Sequence, residues 1–217
     1  MSYSVILWDF NGTLLNDVDI CKTAINIMLK KRGLPLLSTQ QYRENFDFPI
    51  INSYKRAGFD FKQESFDSIA NEFGLLYFEF SKDKLLVSPE ILDLLKFFKE
   101  KGVRQFVISA SELALLKKQL CLMGISDYFE NINGLENFYA ESKVELCQKW
   151  FSAYPDLNPA DILFIGDTVH DFETARGIEC DSVLLSFGHQ DKKRLLTCNV
   201  PVFDNAKDMF NYVSELI

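Results

Sequence analysis

Four short apolar runs, separated by stretches of helical periodicity, constrain this chain more than any other feature. SVILWDF (4–10), VRQFVIS (103–109), ILFIGD (162–167) and SVLLSF (182–187) are each short and apolar over most of their length. Strands that are apolar on both faces are covered on both faces, the mark of a parallel sheet sandwiched between helices. A shorter run, Pro201–Phe203, lies near the end. Between the runs, Glu90–Glu100 places Ile91, Leu94, Leu95 and Phe98 on one face and stops at Gly102. Glu112–Leu122, Lys143–Tyr154 and Asp171–Arg176 follow the same logic. The alternation predicts an α/β fold whose parallel strands are joined by right-handed crossovers.

One stretch breaks the alternation. From about residue 17 to 85 there are helical patterns and no convincing buried strand. Asp17–Arg32 carries Ile20, Ala24, Ile27 and Met28 along a stripe that ends at Gly33-Leu34-Pro35. Shorter helical pieces follow near 39–46, 50–57 and 64–80, punctuated by Pro49 and Gly58. The stretch is too long for a loop and predicts a small helical domain, 17–85, inserted after the first strand. The sheet domain then comprises 1–16 and 86–217.

The net charge of −8 argues against a nucleic-acid or anionic-membrane surface, which needs clustered Lys and Arg. It leaves room for a small phosphorylated ligand, because one metal ion and one lysine create a local positive site. Five cysteines are scattered with no CxxC pair, as expected of reduced thiols. Asp9 interrupts the first apolar run too early for an export signal or a membrane span. A cytoplasmic protein is expected, as a monomer or a weak homodimer.

In an open parallel sheet, ligands gather beyond the carboxyl ends of the strands. Those ends carry Asp9-Phe10-Asn11-Gly12-Thr13, then Ser109-Ala110-Ser111, then Gly166-Asp167-Thr168-Val169-His170-Asp171, and Lys143 opens a helix between the last two. Carboxylates at two strand ends are hard ligands suited to Mg²⁺, which also takes a phosphate oxygen. A carboxylate can attack phosphorus and divide hydrolysis into two steps. A lysine, hydroxyls and the N–H groups of a Gly-bearing turn can bind the transferred group's oxygens. Purely structural duties also fit: Ser111 can cap the next helix, and Asp167 or Asp171 the helix that follows them.

The segment DFNGTLLND resembles the first motif of the haloacid dehalogenase superfamily, DxDGT. Ser109 resembles the second motif, Lys143 the third, and GDTVHD the fourth, in the family's order. The insertion at 17–85 is similar in place and size to the helical cap of the phosphoglycolate-phosphatase-like branch. The resemblance implies a Rossmann-like core with a helical cap and a Mg²⁺-dependent phosphatase acting on a small phosphorylated metabolite. It implies that Asp9 is the nucleophile and a metal ligand. It further implies that Asn11 gives its backbone carbonyl to the metal and that Asp167 and Asp171 complete the set. Ser109, Ala110, Thr13 and Lys143 would bind the phosphoryl group.

One position departs from the pattern. The family's phosphatases carry a second Asp two residues after the nucleophile, which protonates the leaving alcohol. Here it is Asn11, which cannot exchange a proton near neutral pH. A relocated acid (His170, Asp17 or Glu44), a leaving group that needs no acid, a different chemistry, and ligand binding without turnover are the alternatives. A cap lysine acting as a Schiff base (Lys22, Lys30, Lys31 or Lys55) would be such a different chemistry. His189 falls where the family's site rim lies. Arg43, Lys55 and Arg56 read as a solvated face, or as partners for a second anionic group on the substrate. The Phe-rich stretch from Phe46 to Phe80 is expected to be cap core.

Overall fold

In a computed structural model, which describes residues 3–82, 84–135 and 143–217, the four apolar runs all become strands. Val5–Trp8 (β1), Arg104–Glu112 (β2), Asn131–Leu135 (β3), Ile162–Gly166 (β4), Asp181–Leu185 (β5) and Val202–Phe203 (β6) form one parallel sheet, ordered β3-β2-β1-β4-β5-β6. β1 is central and every residue in it is fully buried. The strand order reverses between β1 and β4, and a crevice opens there at the carboxyl edge.

Period-two alternation divides the sheet's side chains between two apolar cores. Ile6, Trp8, Val107, Leu163 and Ile165 pack on one face against Pro89–Glu100 (α5) and Ala206–Ser214 (α10). Val5, Leu7, Phe106, Ile108 and Phe164 pack on the other against Lys143–Ser152 (α7) and Val169–Arg176 (α8). Leu113–Leu122 (α6) and the short Lys192–Leu195 (α9) complete the layers. The α/β architecture expected from the apolar runs is the one observed.

The inserted stretch forms four helices, Val18–Lys31 (α1), Thr39–Asn45 (α2), Ile51–Arg56 (α3) and Phe66–Ser81 (α4). They close on their own apolar core, in which Met28, Leu29, Tyr42, Tyr54, Phe59 and Ile69 are buried. Ser38 and Ser65 accept backbone N–H groups to start α2 and α4. Arg32, at the end of α1, pairs with Glu72 of α4 and with Glu64 just before it. Among the described residues, no helix is long and apolar enough to cross a membrane.

Strand β3, NINGL, was not foreseen. It lies at the sheet's edge, is only half-buried, and so lacks the apolar run that marks a covered strand. Strand β2 runs past Ser109 to Glu112, and Glu112, rather than Ser111, caps α6.

Candidate active site

The sheet register brings the functional groups to one edge. Trp8 pairs with Val107 on one side and Ile165 on the other, so Asp9, Ser109 and Asp167 emerge just beyond the paired residues. The Asp9 N–H still donates to the Ile165 carbonyl at 2.9 Å. The chain then turns at Gly12, whose φ of 80° favours glycine. A Cβ at Gly12 or at Gly188 would overlap the Asp167 carboxylate. Both glycines are therefore needed for the backbone to close around that group.

Asp9, Asp167 and Asp171 are buried, and one ligand oxygen from each lies within 4.8 Å of the others. Lys143, from the first turn of α7, is also buried and pairs with both Asp9 and Asp171. Asp171 additionally accepts from the Asp167 N–H at 3.0 Å, the Thr168 N–H at 2.9 Å and the Thr168 hydroxyl at 2.7 Å. It thus forms a capping box with Thr168 while also holding Lys143. Asp167 accepts from the His189 N–H at 2.6 Å and the Thr13 hydroxyl at 3.2 Å.

The protonation preferences follow from this packing. Burial pushes Asp9 up, Lys143 pulls it partly back, and Asp171 opposes that pull, leaving its pKa at about 6. Burial raises Asp167 well above the carboxylate range; the charge of His189 lowers it, and Asp9 and Asp171 add to the rise. Burial also works to raise Asp171, but Lys143 and the Thr168 hydroxyl outweigh it and hold Asp171 below its usual value. Burial would lower Lys143, yet Asp171 and Asp9 keep it charged. One ammonium thus serves Asp9 and Asp171 but not Asp167, whose ionised form a divalent cation would stabilise. The oxygen donor set fits a hard cation such as Mg²⁺.

Asn11 is held by a second buried network. Its Oδ1 accepts from the Ser111 hydroxyl at 2.7 Å and its Nδ2 donates to Asp17 Oδ2 at 2.8 Å. Asp17 is fully buried and also accepts from Gly12 N at 3.1 Å, the Tyr77 hydroxyl at 2.9 Å and His189 Nε2 at 2.9 Å. Burial would raise Asp17, but His189, Asn11 and Tyr77 together lower it. Burial would lower His189, but Asp17 above all raises its pKa to about 9. An acceptor-only carboxylate on one side requires the amide nitrogen of Asn11 to face it. Asn11 therefore suits its surroundings as an amide.

The same edge fastens the helical unit to the sheet. Tyr42 Oη lies 2.9 Å from His189 Nδ1, and Phe46 stacks on the His189 ring. Arg43 donates to the Gly188 and Phe187 carbonyls at 2.9 and 2.6 Å. Arg194 donates to the Phe46 carbonyl at 2.6 Å and pairs with Asp47. These contacts join α2 to the segment after β5. Sequence reasoning pointed to His189 at the rim and to Asp17, but it missed Tyr42 and Tyr77.

A cleft of about 1490 Å³ lies between the helical unit and the sheet edge, with Asp9, Asn11, Ser109, Ala110, Lys143, Asp167 and Asp171 in its wall. Thr13, engaged with Asp167, lines a separate hollow. His170 lines the cleft and packs against Phe48, whereas Glu44 is exposed and accepts from Gln40. Arg56 pairs with Asp47, and Arg43 serves the contact just described. Lys22 and Lys31 pair with Asp19 and Glu72. Phe59 lies in the helical core as expected, but Phe46, Phe48, Phe66, Phe73 and Phe78 also line the cleft.

The family model described as haloacid dehalogenase-like hydrolase matches residues 6–185. A phosphoglycolate phosphatase of Psychrobacter arcticus is 20% identical, over 98% of this chain and 96% of its own length. One from Neisseria gonorrhoeae is 25% identical, over 86% and 81%. A crystal structure of a predicted phosphatase from Clostridium acetobutylicum superposes with a TM-score of 0.77 at 18% identity and covers 100% of both chains. A mutant of CbbY from Rhodobacter sphaeroides, crystallised with xylulose-(1,5)bisphosphate, gives 0.70 at 16% identity, covering 95% of this chain and 96% of that one.

Proposed function

The chain belongs to the haloacid dehalogenase-like hydrolase family, and from that membership we propose that it is a Mg²⁺-dependent hydrolase of phosphate monoesters. The observation that carries this reading is the buried pairing of Lys143 with both Asp9 and Asp171, beside Asp167. The relatives named phosphoglycolate phosphatase support a small phosphorylated metabolite as substrate. In this reading residues 1–16 and 86–217 are the core domain, and 17–85 is a cap over the site. The protein acts in the cytoplasm as a monomer or weak homodimer.

Asp9, Asp167, Asp171 and the backbone carbonyl of Asn11 would hold the ion. A bound Mg²⁺ supplies neutralisation of the phosphoryl charge. A carboxylate oxygen of Asp9 attacks phosphorus, the ester oxygen leaves, and an aspartyl-phosphate forms on Asp9. Lys143, the Ser109 hydroxyl and the Ala110 N–H bind the phosphoryl oxygens, whereas Thr13 donates its hydroxyl to Asp167 instead. Lys143 also keeps Asp9 ionised. Water then hydrolyses the aspartyl-phosphate and releases phosphate. Asn11 supplies no proton to the leaving group, which departs as its anion or takes its proton from water.

The test uses p-nitrophenyl phosphate, whose leaving group hardly needs protonation. Phosphate release should require Mg²⁺, stop with EDTA, and vanish in Asp9→Asn. Absence of metal-dependent release would overturn the reading. The engagement of both ends of the Asn11 amide favours a second one, ligand binding without turnover. It predicts that inorganic phosphate with Mg²⁺ raises the melting temperature while no ester is hydrolysed.

A further inference from the structure

The cleft that reaches Asp9 is far larger and more apolar than a two-carbon phosphoester requires. Its volume is about 1490 Å³, and the half-buried Phe46, Phe48 and Phe73 contribute to its wall together with the exposed Phe78, Leu115 and Leu122. The wall is poor in positive charge. Among the described residues, its cations are Lys143, Lys82 and Lys118, with His189 and His170. Lys143 is committed to Asp9 and Asp171, and His189 to Asp17. Lys82 is exposed over the Phe78 ring, and Lys118 is exposed on α6. The sequence of 136–142, ENFYAES, which leads into Lys143, contains no Lys or Arg, and neither does position 83. Glu112, Glu145, Asp67 and Glu173 add negative charge to the wall. A carboxylate or second phosphate on the leaving group would thus lose water without gaining an interior partner.

Two further features agree. Gly74 stands in the interior of α4, a position where glycine is disfavoured, and it lines the cleft. Gly74 is exposed, and a Cβ built there meets nothing within 4 Å, so a larger side chain fits at this position without a clash. Asn11, tied to Asp17 and Ser111, offers the departing oxygen no acid.

We propose that the substrate is a phosphate monoester of an uncharged, apolar, ring-sized alcohol of low basicity, an aryl or enol phosphate, rather than a small doubly anionic ester such as phosphoglycolate. The proposal rests on the phosphatase reading above and names its substrate class. The apolar body occupies the cleft beneath α4, and the low basicity of its oxygen takes over what a protonated side chain does elsewhere. Apolar burial sets the KM; the leaving group sets kcat.

The decisive measurement is kcat/KM with Mg²⁺ across a substrate series on the wild-type protein. 1-Naphthyl phosphate should exceed phosphoglycolate by roughly 100-fold or more. Because aryl oxygens leave easily from any enzyme, a matched pair isolates the cleft. Benzyl phosphate should show a KM about tenfold below that of ethyl phosphate, although the two alcohols are similarly basic. Gly74→Arg, which places a cation in the open space, should raise kcat/KM for phosphoglycolate and lower it for 1-naphthyl phosphate. Phosphoglycolate turned over as well as the aryl ester, or benzyl and ethyl phosphate with equal KM, would overturn the substrate class and leave the phosphatase reading intact. No Asp9-dependent turnover of any ester would overturn both.

Discussion

Replacing Asn11 by Asp alters one contact that the geometry isolates. The new side chain keeps the bond from the Ser111 hydroxyl, but the atom 2.8 Å from Asp17 Oδ2 becomes an oxygen. A half-buried carboxylate at position 11 and the fully buried Asp17 then face each other where an amide donated. Unit charges about 4 Å apart repel by about 4 kcal/mol at an effective dielectric constant of 20. At about 1.4 kcal/mol per decade, this is roughly a thousandfold in proton affinity, so the pair keeps one proton up to about neutral pH. His189 stabilises the charge on Asp17, which directs that proton to the introduced residue. The variant therefore presents a protonated acid in the cleft wall, beside Asp9. Turnover of ethyl phosphate should rise by roughly 100-fold, the low end of what a positioned acid contributes, with little change for p-nitrophenyl phosphate. The introduced carboxyl has a native pKa above its unfolded value. Stability is thus lost relative to wild type as pH rises through that native pKa, and least affected below the unfolded one. Steady-state kinetics on both esters and melting curves from about pH 5 to pH 9 in EDTA check the two halves. Unchanged ethyl phosphate turnover in a variant that still cleaves p-nitrophenyl phosphate would refute the reasoning. So would a melting-temperature gap that does not widen with pH.

Other perturbations give distinct readouts. Lys143→Met leaves the buried carboxylates without their cation and should cost about 3–5 kcal/mol in denaturant unfolding, with Mg²⁺ restoring part of it. Gly188→Ala drives a Cβ into Asp167 and should destabilise by about 1–3 kcal/mol while weakening Mg²⁺ binding measured by calorimetry. Metal binding needs ionised ligands, the pKa of Asp9 is about 6 and burial also raises Asp167, so Mg²⁺ affinity should fall as pH drops from neutrality. The pKa of His189 is raised from 6.5 to about 9, so its pairing contributes roughly 3 kcal/mol that is fully present below the lower value. The stability gap between wild type and His189→Gln, measured in EDTA, should shrink as pH rises through about 9.

Local pattern was enough for much of the architecture. Val5–Trp8, Ile162–Gly166 and Asp181–Leu185 were legible because strands covered on both faces must be apolar throughout. The helices of 17–85 were legible from their 3.6 periodicity, and Asp9, Ser109, Lys143, Asp167 and Asp171 from their positions at strand and helix ends. β3 was not, because a half-buried edge strand has no apolar run to mark it. The surroundings of Asn11 were not legible either. Sequence marked it as a missing acid, whereas the fold makes it a donor to a carboxylate six residues on that is itself charged by a histidine 172 residues away. The same holds for Arg43, read as solvated or substrate-binding and found clasping the carbonyls of Phe187 and Gly188. Sequence by itself determined which groups reach the sheet edge, because each apolar run ends directly at its polar residue. Only the tertiary structure decided which of those groups are partnered, what lines the cleft, and how a buried charge is balanced. Those depend on contacts between residues far apart in the chain, which no local pattern encodes.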